Sequence, residues 1–493
     1  MLVLTLNMEK LEKILFAVLG LVIITGILIS LIPVDIPDVP INKDNTKTFN
    51  SVEELRNYIK LKSEEYDKIY SSRGGIFEQV LQAGVPSFQA FQKTSSESSD
   101  SGSRSYSTTN IQVRGVDEAD IVKNDGEYIY TAFGDTVNII GAYPAQDLKI
   151  LSNIKVNGNV EEIFINDDKL VIFGRERQNY PIPYGDDGLV AKDVAMPSSL
   201  MPPEYYYESK SFVRVYDISD KKKPELEKNL VYDGNYFDSR MIDDYVYVII
   251  NQPLYYNYKD YENITLPKIE YNKQEIPVNI EDVHYFDDVI DYNYRLTTII
   301  VLDLDNLKEP NKKSFLSGYS ENMFVSEDNI YITSRKNLPY RVYQEVLPEE
   351  IAQTERTLIH KISIDKDKIE FKATGEVPGH ILNQFSMDEY KGKFRIATTI
   401  GEVFNGNSLN NMYVLDEDMN IIGRLENLAR SEKIYSVRFM GERAYMVTFK
   451  KIDPLFVIDL SVPENPKVLG ELKIPGYSDY LHPYDENHII GIG

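Results

Sequence analysis

Short stretches of alternating apolar and polar residues recur along the chain from residue 119 to residue 493. Each begins with a short strand, passes through a polar turn and ends in a strand rich in Tyr, Ile and Val. The turns, such as NDG at 124–126 and GER at 441–443, use residue types that tolerate left-handed backbone or bond to their own main chain. Seven such stretches occur, at 119–132, 163–174, 237–250, 324–334, 385–399, 435–449 and 480–493.

A third strand follows each of the first six stretches, and a weaker fourth follows the third. The third strands are at 136–143, 212–219, 297–305, 357–365, 411–418 and 454–461. Repeated units of four short antiparallel strands predict an all-β main domain, a β-propeller with six complete blades and a partial seventh. The seventh unit stops within its second strand, and sheets avoid open edges. We therefore expect the propeller, residues 111–493, to be incomplete at its C-terminal end.

The N-terminal region carries an uncharged apolar run at 14–32, long enough at 1.5 Å per residue to cross a bilayer. Lys10 and Lys13 precede it and acids follow it, which predicts a cytoplasmic N-terminus at 1–13 and an extracytoplasmic remainder. A cleaved signal peptide is the alternative to this signal anchor. Residues 33–92 form a predicted stalk with a helix at about 51–72, where Ser51 and Glu54 make a capping box, and 93–110 form a Ser-rich linker.

Composition removes several classes of function. The formal net charge of −24 leaves no basic face for nucleic acid, and the absence of Cys excludes disulfides and thiolate chemistry. The absence of Trp argues against a quinone-dependent dehydrogenase, because quinone cofactors in propellers of that kind usually stack on Trp. Tyr, in contrast, occurs 36 times.

Three segments resemble one family of secreted or membrane-anchored archaeal and bacterial proteins. They are "TTNIQVRGVDEADIVKNDGEYIYTA" at 108–132, "GHILNQFSMDEYKGKFRIATT" at 379–399 and "PGYSDYLHPYDENHIIGIG" at 475–493. Members of that family have a C-terminal β-propeller distantly related to WD40 repeats, and they generally continue beyond the point where this chain ends. The resemblance implies the fold and an extracytoplasmic location, and it leaves the biochemical function open.

Three insertions separate the second and third strands of the second, third and fourth units, at 175–210, 251–296 and 335–356. That loop position opens on the same side of every blade, so the insertions should form one raised crown. Tyrosine is a frequent residue of recognition surfaces, and a glycan or an extended peptide would suit this one. Packing of the rings against each other is the alternative. The candidate binding residues are Tyr205, Tyr206, Tyr207, Tyr255, Tyr256, Tyr258, Tyr285 and Tyr292.

Other polar groups give weaker signals. Asp287, Asp288 and Asp291 could ligate Ca²⁺, the one cofactor that the sequence leaves open. They do not follow the D-x-D-x-D-G spacing of a Ca²⁺ loop, which favours a solvated acidic loop instead. Asn263 begins a lone N-x-T sequon in the crown and is a candidate glycosylation site. The acids at 117, 118 and 120 are interpreted as the start of the first blade. The five His, at 284, 360, 380, 482 and 488, form no metal-binding motif.

The sequence thus favours a membrane-anchored, extracytoplasmic binding or scaffold module whose partner is a cell-surface protein or glycan. The alternative is a propeller enzyme, a hydrolase or lyase acting on surface polysaccharide, which would need two carboxylates facing one pocket.

Overall fold

A computed structural model describes residues 46–71, 111–176, 210–254, 261–286, 294–318, 320–336, 355–401, 403, 406–449, 453–474, 478–485 and 488–493. The predicted cytoplasmic segment 1–13, the membrane segment 14–32 and the linker 93–110 lie outside these residues. None of the helices in the described ranges has the length and apolarity needed to cross a membrane.

The described residues between 111 and 493 form seven sheets in chain order, built mainly of antiparallel strands, which we call sheets 1 to 7. Sheet 1 contains β3 (Val122–Asn124), β4 (Tyr128–Phe133), β5 (Thr136–Gly141) and β6 (Lys149–Lys155). Sheet 2 contains β7 (Gly158–Asn166), β8 (Lys169–Glu176), β9 (Lys210–Asp217) and β10 (Glu225–Asp233), extended by β13 (Ile269–Tyr271) and β14 (Gln274–Ile276). Sheet 3 is built on β11 (Asn235–Ile242), β12 (Tyr245–Pro253), β16 (Arg295–Asp303) and β17 (Asn311–Ser317).

The remaining sheets repeat the same order of strands. Sheet 4 contains β18 (Ser320–Val325), β19 (Asn329–Lys336), β20 (Arg356–Asp365) and β21 (Lys368–Pro378). Sheet 5 contains β22 (Met387–Tyr390), β23 (Lys393–Ile400), β24 (Leu409–Leu415) and β25 (Ile421–Leu428). Sheet 6 contains β26 (Lys433–Met440), β27 (Arg443–Phe449), β28 (Asp453–Asp459) and β29 (Lys467–Ile474), and sheet 7 contains β30 (Tyr480–Asp485) and β31 (His488–Ile492).

The four-stranded antiparallel units predicted from the repeats are therefore confirmed. The turns between first and second strands contain left-handed residues where the sequence predicted them, at Asp167, Asp243, Lys391 and Gly441. Short 3₁₀ helices at Ala145–Asp147, Tyr261–Asn263, Ile280–Asp282 and Gln384–Ser386 lie between strands.

Each of sheets 1 to 5 packs face to face on the next one through its alternating apolar residues. Between sheets 1 and 2, for example, Tyr130 and Ile139 meet Ile172 and Phe212, all four fully buried. Equivalent clusters join sheets 2 and 3, 3 and 4, 4 and 5, and 5 and 6. Each fully buried side chain of this size contributes roughly 1.5–3 kcal/mol, so these clusters hold the stack together.

The links that follow sheets 2, 4 and 5 are held by the same kind of hydrogen bond. The second residue of a third strand donates a side-chain hydrogen bond to a main-chain carbonyl in the link that leads to the next sheet. Ser211 donates to Gly234 (2.9 Å), Thr357 to Gly379 (2.6 Å) and Asn410 to Ala429 (3.2 Å). All three acceptors belong to residues with positive φ. At Gly379 a Cβ atom would lie 2.6 Å from the Thr399 carbonyl oxygen, so glycine is required there.

Two further segments join sheet 3 and extend it on both edges. Strand β1 (Thr46–Thr48) pairs with β15 (Val283–Phe286), which in turn pairs in parallel with β17. At the opposite edge the two-residue strand β2 (Asp117–Glu118) pairs with β11. The helix predicted at about 51–72 is α1 (Val52–Ser71), and it begins directly after β1. Its first turn is capped by the Ser51 hydroxyl, which accepts a hydrogen bond from the Glu54 amide at 3.1 Å.

Candidate functional site

The antiparallel order of the strands gives the stack two distinct rims. The first strand of every sheet runs away from the links between sheets, the second returns, and the third runs away again. The links between sheets and the connections from the second to the third strand therefore lie on one rim, which we call the insertion rim. The turns from the first to the second strand and from the third to the fourth lie on the opposite rim, which we call the turn rim. The long connections of sheets 2, 3 and 4, residues 177–209, 254–294 and 337–355, all leave from the insertion rim. Sheet 1 has only residues 134–135 at this position.

The insertion of sheet 3 is supported by the segment 46–71, which we call the N-terminal arm. Phe49, Leu55 and Ile59 of the arm are at most 1% exposed and pack on Ile264 and Leu316. Arg56 donates hydrogen bonds from Nε (3.2 Å) and Nη2 (3.0 Å) to the Ile264 carbonyl oxygen. Part of the stalk predicted from the sequence, residues 49–59, thus packs against the insertion of sheet 3.

Tyr285, one of the predicted binding residues, lies inside this cluster. Its ring is 8% exposed and stacks on Phe49 with a centroid distance of 4.1 Å, while the Tyr58 ring lies 4.7 Å away. For this residue the packing alternative describes the structure, and its ring is not available as an exposed contact. Tyr285 is held in this cluster by strand β1, which pairs with β15 although the two strands are more than 200 residues apart in the sequence.

The insertion of sheet 4 begins and ends at a buried ionic network. The Glu355 carboxylate, with no solvent exposure, accepts hydrogen bonds from Arg335 Nη2 (2.6 Å) and the Gly401 amide (2.8 Å), and lies 2.6 Å from His380 Nδ1. Burial by itself raises the pKa of Glu355, but the adjacent His380 and Arg335 outweigh it, so the pKa lies below its ordinary value. Arg335 and Glu355 flank the insertion, so the network fixes both of its ends to sheet 5. The sequence carries no local signal for this network, because Arg335 lies in β19, Glu355 at the end of the insertion and His380 in the link to sheet 5.

A cavity of about 330 Å³ opens beside the base of the sheet 2 insertion. Gly134, Asp135, Gly158, Asn159, Arg175 and Glu176 line it. The Gly158 backbone approaches so closely that a Cβ atom there would lie 2.0 Å from the Arg175 carbonyl oxygen. Arg175 forms a 2.6 Å ion pair with Glu161, whose pKa burial raises. This open depression lies on the same rim as the insertions.

Residues 111–121, the lead-in segment, cross the inner strands of several sheets before sheet 1 begins. Gln112 Nε2 donates to the Gln384 (3.1 Å) and Met387 (3.0 Å) carbonyls at sheet 5, and Val116 is buried between sheets 3 and 4. Asp117 and Glu118 then pair with β11 of sheet 3, and Asp120 forms a β-bridge with Ile163 of sheet 2. The acids interpreted as the start of the first blade are thus structural, but two of them extend sheet 3 rather than sheet 1.

A cluster of charged residues surrounds the lead-in segment. Glu118, 2% exposed, accepts from the Gln112 amide (3.1 Å), and Arg240 pairs with Asp238 (2.6 Å). Arg438 is 7% exposed, and its guanidinium lies 5.3 Å from the Phe385 ring centroid.

Two carboxylates, Glu118 and Asp388, act electrostatically on Arg438, whereas its Nη1 has no hydrogen-bond partner among the described residues. Asp388 is hydrogen-bonded by Arg395, yet burial raises its pKa. Arg240, Asp388 and Arg438 occupy the same position relative to their strand turns. An alignment of the repeats on their turns would therefore bring Arg240, Asp388 and Arg438 to one position and reveal this cluster from the sequence.

Most of the predicted binding and metal residues lie outside the described residues. These are Tyr205, Tyr206, Tyr207, Tyr255, Tyr256, Tyr258 and Tyr292, together with Asp287, Asp288 and Asp291. Asn263 is the last residue of the 3₁₀ helix Tyr261–Asn263. The next residue, Ile264, has the carbonyl oxygen that accepts the hydrogen bonds of Arg56. Within the described ranges, no three His, Asp or Glu side chains are grouped so as to hold a metal ion.

Comparison with known proteins assigns the chain to a family. Residues 106–493 match the family model described as "Beta propeller domain". The chain belongs to this beta propeller family. It is also similar to an uncharacterised protein of Methanocaldococcus jannaschii, 32% identical over 447 residues that cover 79% of this chain and 65% of the relative. An uncharacterised protein of Archaeoglobus fulgidus is 29% identical over 505 residues, 91% of this chain and 76% of the relative. The chain thus covers less than two thirds of the length of the first of these relatives.

Proposed function

We propose that the protein is a membrane-anchored, extracytoplasmic β-propeller, distantly related to WD40 repeats, that acts as a binding or scaffold module at the cell surface. Its ligand is a glycan or protein recognised by the Tyr-rich crown. The observation that supports this proposal is that the three long insertions all leave from the same rim, the insertion rim. On this proposal, their tyrosines form one recognition surface.

The bases of the insertions support a recognition surface because they are fixed. The Glu355 network holds the ends of the sheet 4 insertion, and the N-terminal arm packs on that of sheet 3. Loops that leave a rigid base lose less conformational entropy when they bind than loops on a mobile one. The cavity between sheets 1 and 2 adds a concave element at the same rim.

The test is binding by the full chain in lipid nanodiscs to arrays of defined oligosaccharides and of extended peptides. Replacing Tyr205, Tyr206, Tyr207, Tyr255, Tyr256 and Tyr258 by Ser should abolish the retention of whichever probe the native chain holds. Ca²⁺ at Asp287, Asp288 and Asp291 is part of the same proposal, and binding should then weaken when a chelator is added.

The alternative, a hydrolase or lyase acting on surface polysaccharide, has one observation in its favour. Glu118 and Asp388 both lie within electrostatic reach of Arg438, and the pKa of Asp388 is raised. A raised pKa is what a carboxyl group that donates a proton near neutral pH requires. If this alternative holds, Asp388→Asn should abolish the release of reducing ends from a polysaccharide while leaving retention by the crown unchanged.

A further inference from the structure

Buried basic side chains from sheets 1, 3 and 6 approach one another at the turn-rim end of the first strands. Arg240 of β11 donates from Nη2 to the Gln384 side-chain oxygen at 3.0 Å, so it reaches past sheet 4 to the link before sheet 5. Lys123 of β3, at the corresponding position in sheet 1, donates to the Glu118 carbonyl oxygen at 2.6 Å. The Glu118 carboxylate in turn acts electrostatically on Arg438 of β26.

Two of these three basic residues have a carboxylate partner. Lys123 Nζ lies 2.7 Å from Asp117, and Arg240 Nη1 lies 2.6 Å from Asp238. Arg438 forms no ion pair with a residue that the structure describes, and its Nη1 has no hydrogen-bond partner there. Arg438 is thus a buried cation, 7% exposed, whose charge is balanced only from a distance.

The internal repeat explains why Arg438 differs from Arg240. Asp238 lies two residues before Arg240, directly after a β-bulge in β11. Strand β26 has the same bulge, and Ser436 stands at the position of Asp238. The Ser436 hydroxyl donates to the Ser478 carbonyl oxygen at 2.7 Å and carries no charge. Arg240 therefore receives a carboxylate from its own strand, whereas Arg438 has an uncharged hydroxyl at that position.

The two carboxylates that act on Arg438 from a distance are held by other donors. Asp388 accepts a hydrogen bond from Arg395 Nε at 2.8 Å, and Glu118 accepts one from the Gln112 amide at 3.1 Å. Burial lowers the pKa of Arg438, so these acids do not fully offset the desolvation of its guanidinium. Proteins pair buried charges of this kind or use them to bind a ligand.

The groups around Arg438 suit a small anion. Its guanidinium lies 5.3 Å from the Phe385 ring centroid, and the Tyr480 ring lies 5.6 Å from that of Phe385. Both rings are partly exposed, and so is the side chain of Asp388, which leaves one side of this region open to solvent. Burial, together with Arg438, lowers the pKa of His482 and keeps its imidazole neutral at pH 7. A neutral imidazole can donate a hydrogen bond to an anion.

We propose that Arg438 binds the carboxylate group of a small organic acid or of an acidic sugar, which takes the place that Asp238 fills beside Arg240. The planar guanidinium matches the two oxygens of a carboxylate. A phosphate dianion would be repelled by Glu118 and Asp388 about twice as strongly as a monoanion. The site lies at the turn-rim end of the first strands, so it is separate from the crown and does not depend on the function proposed for the crown.

The test measures the binding of acetate, D-glucuronate and inorganic phosphate to the full chain in lipid nanodiscs by isothermal titration calorimetry, with D-glucose as the uncharged control. Ser436→Asp gives sheet 6 the carboxylate that Asp238 provides in sheet 3. It should lower the affinity for carboxylates tenfold or more, because Arg438 then pairs within its own strand. Arg438→Gln should lower the affinity at least as much, and circular dichroism shows whether each variant is folded. Arg443→Gln removes an exposed arginine of β27 and is the matched control.

The expected result is the binding of one carboxylate per chain, weaker binding of phosphate and none of glucose. Arg443→Gln and the Ser variant of the six crown tyrosines should retain the native affinity. Tighter binding of D-glucuronate than of acetate would assign the group to an acidic sugar, and equal binding to a simple organic acid. Native affinity in folded Ser436→Asp or folded Arg438→Gln, a native chain that binds no carboxylate, or a preference for phosphate would overturn the proposal. Loss of binding in the crown variant would place the carboxylate at the crown and would overturn it as well.

Discussion

Arg56 of α1 donates two hydrogen bonds to the main-chain carbonyl of Ile264, at 3.2 Å from Nε and 3.0 Å from Nη2. The two residues are separated by 208 positions in sequence. This contact joins the N-terminal arm to the insertion of sheet 3, and both sides of it belong to the insertion rim.

Arg56→Ala should loosen the arm without unfolding the propeller. Buried carbonyl groups that lose their donors cost about 1–3 kcal/mol, and here the cost falls on the arm and its partner segment. Hydrogen exchange of the amides of 52–64 and 261–266 should accelerate while the strands of sheets 4 to 6 keep their protection. Lys60→Ala, at an exposed position of the same helix, is the control and should leave exchange unchanged. Equal protection in Arg56→Ala and the native chain would contradict the docking of the arm.

Val116→Ala tests the lead-in segment as a structural element. Val116 is 2% exposed and packs between sheets 3 and 4, so its truncation should lower the free energy of unfolding by roughly 2 kcal/mol. Ile121→Ala, five residues on and 46% exposed, should change it little. Urea denaturation followed by circular dichroism measures both. Equal effects of the two substitutions would mean that the lead-in segment does not connect the sheets.

The repeats, their strand order and the positions of the insertions could be predicted from the sequence because they depend on local signals. Alternation with period two is read over a few neighbouring residues, and so is a turn that needs a left-handed residue such as Asp167 or Asp243. The roles of Glu118 and Tyr285 could not be predicted in this way. Their partners, β11 and Phe49, are distant in the sequence, and an acidic or Tyr-rich segment has the same composition whether it is packed or exposed.

Glu355→Gln should show that the ionic network of sheet 4 is structural. Removing the charge leaves Arg335 and His380 without their buried carboxylate, and breaking a buried pair of this kind costs about 3–5 kcal/mol. Thermal unfolding should therefore occur at a clearly lower temperature. Glu370→Gln, at an exposed position of β21 paired with Lys372, is the matched control and should have a small effect. A Glu355→Gln variant as stable as that control would refute the role of the network.

His360 should make the stability of the propeller depend on pH. Burial lowers the pKa of His360 from 6.5 to about 4, so the folded chain binds this proton less readily than the unfolded chain does. The stability that comes from keeping His360 neutral is fully present above pH 6.5. It is lost as the pH falls towards 4, and the free energy of unfolding then decreases by an amount on the order of 3 kcal/mol.

The measurement compares urea unfolding at pH 7 and at pH 4.5 for the native chain and for His360→Gln, which retains a hydrogen-bonding group near Thr374 but does not titrate. The variant should lose less stability between the two pH values than the native chain. An identical pH dependence would show that His360 does not carry it.

The central claim is that the crown on the insertion rim is the recognition surface of this propeller. The most direct measurement compares the native full chain with the Ser variant at residues 205, 206, 207, 255, 256 and 258, both in nanodiscs, on glycan and peptide arrays. Tyr484→Ser, at an exposed tyrosine of sheet 7 outside the crown, is the control. We predict that the native chain and Tyr484→Ser retain the same probes with the same affinity and that the crown variant loses them by tenfold or more, about 1.4 kcal/mol. Retention by the crown variant at native affinity, with the fold intact by circular dichroism, would contradict the claim.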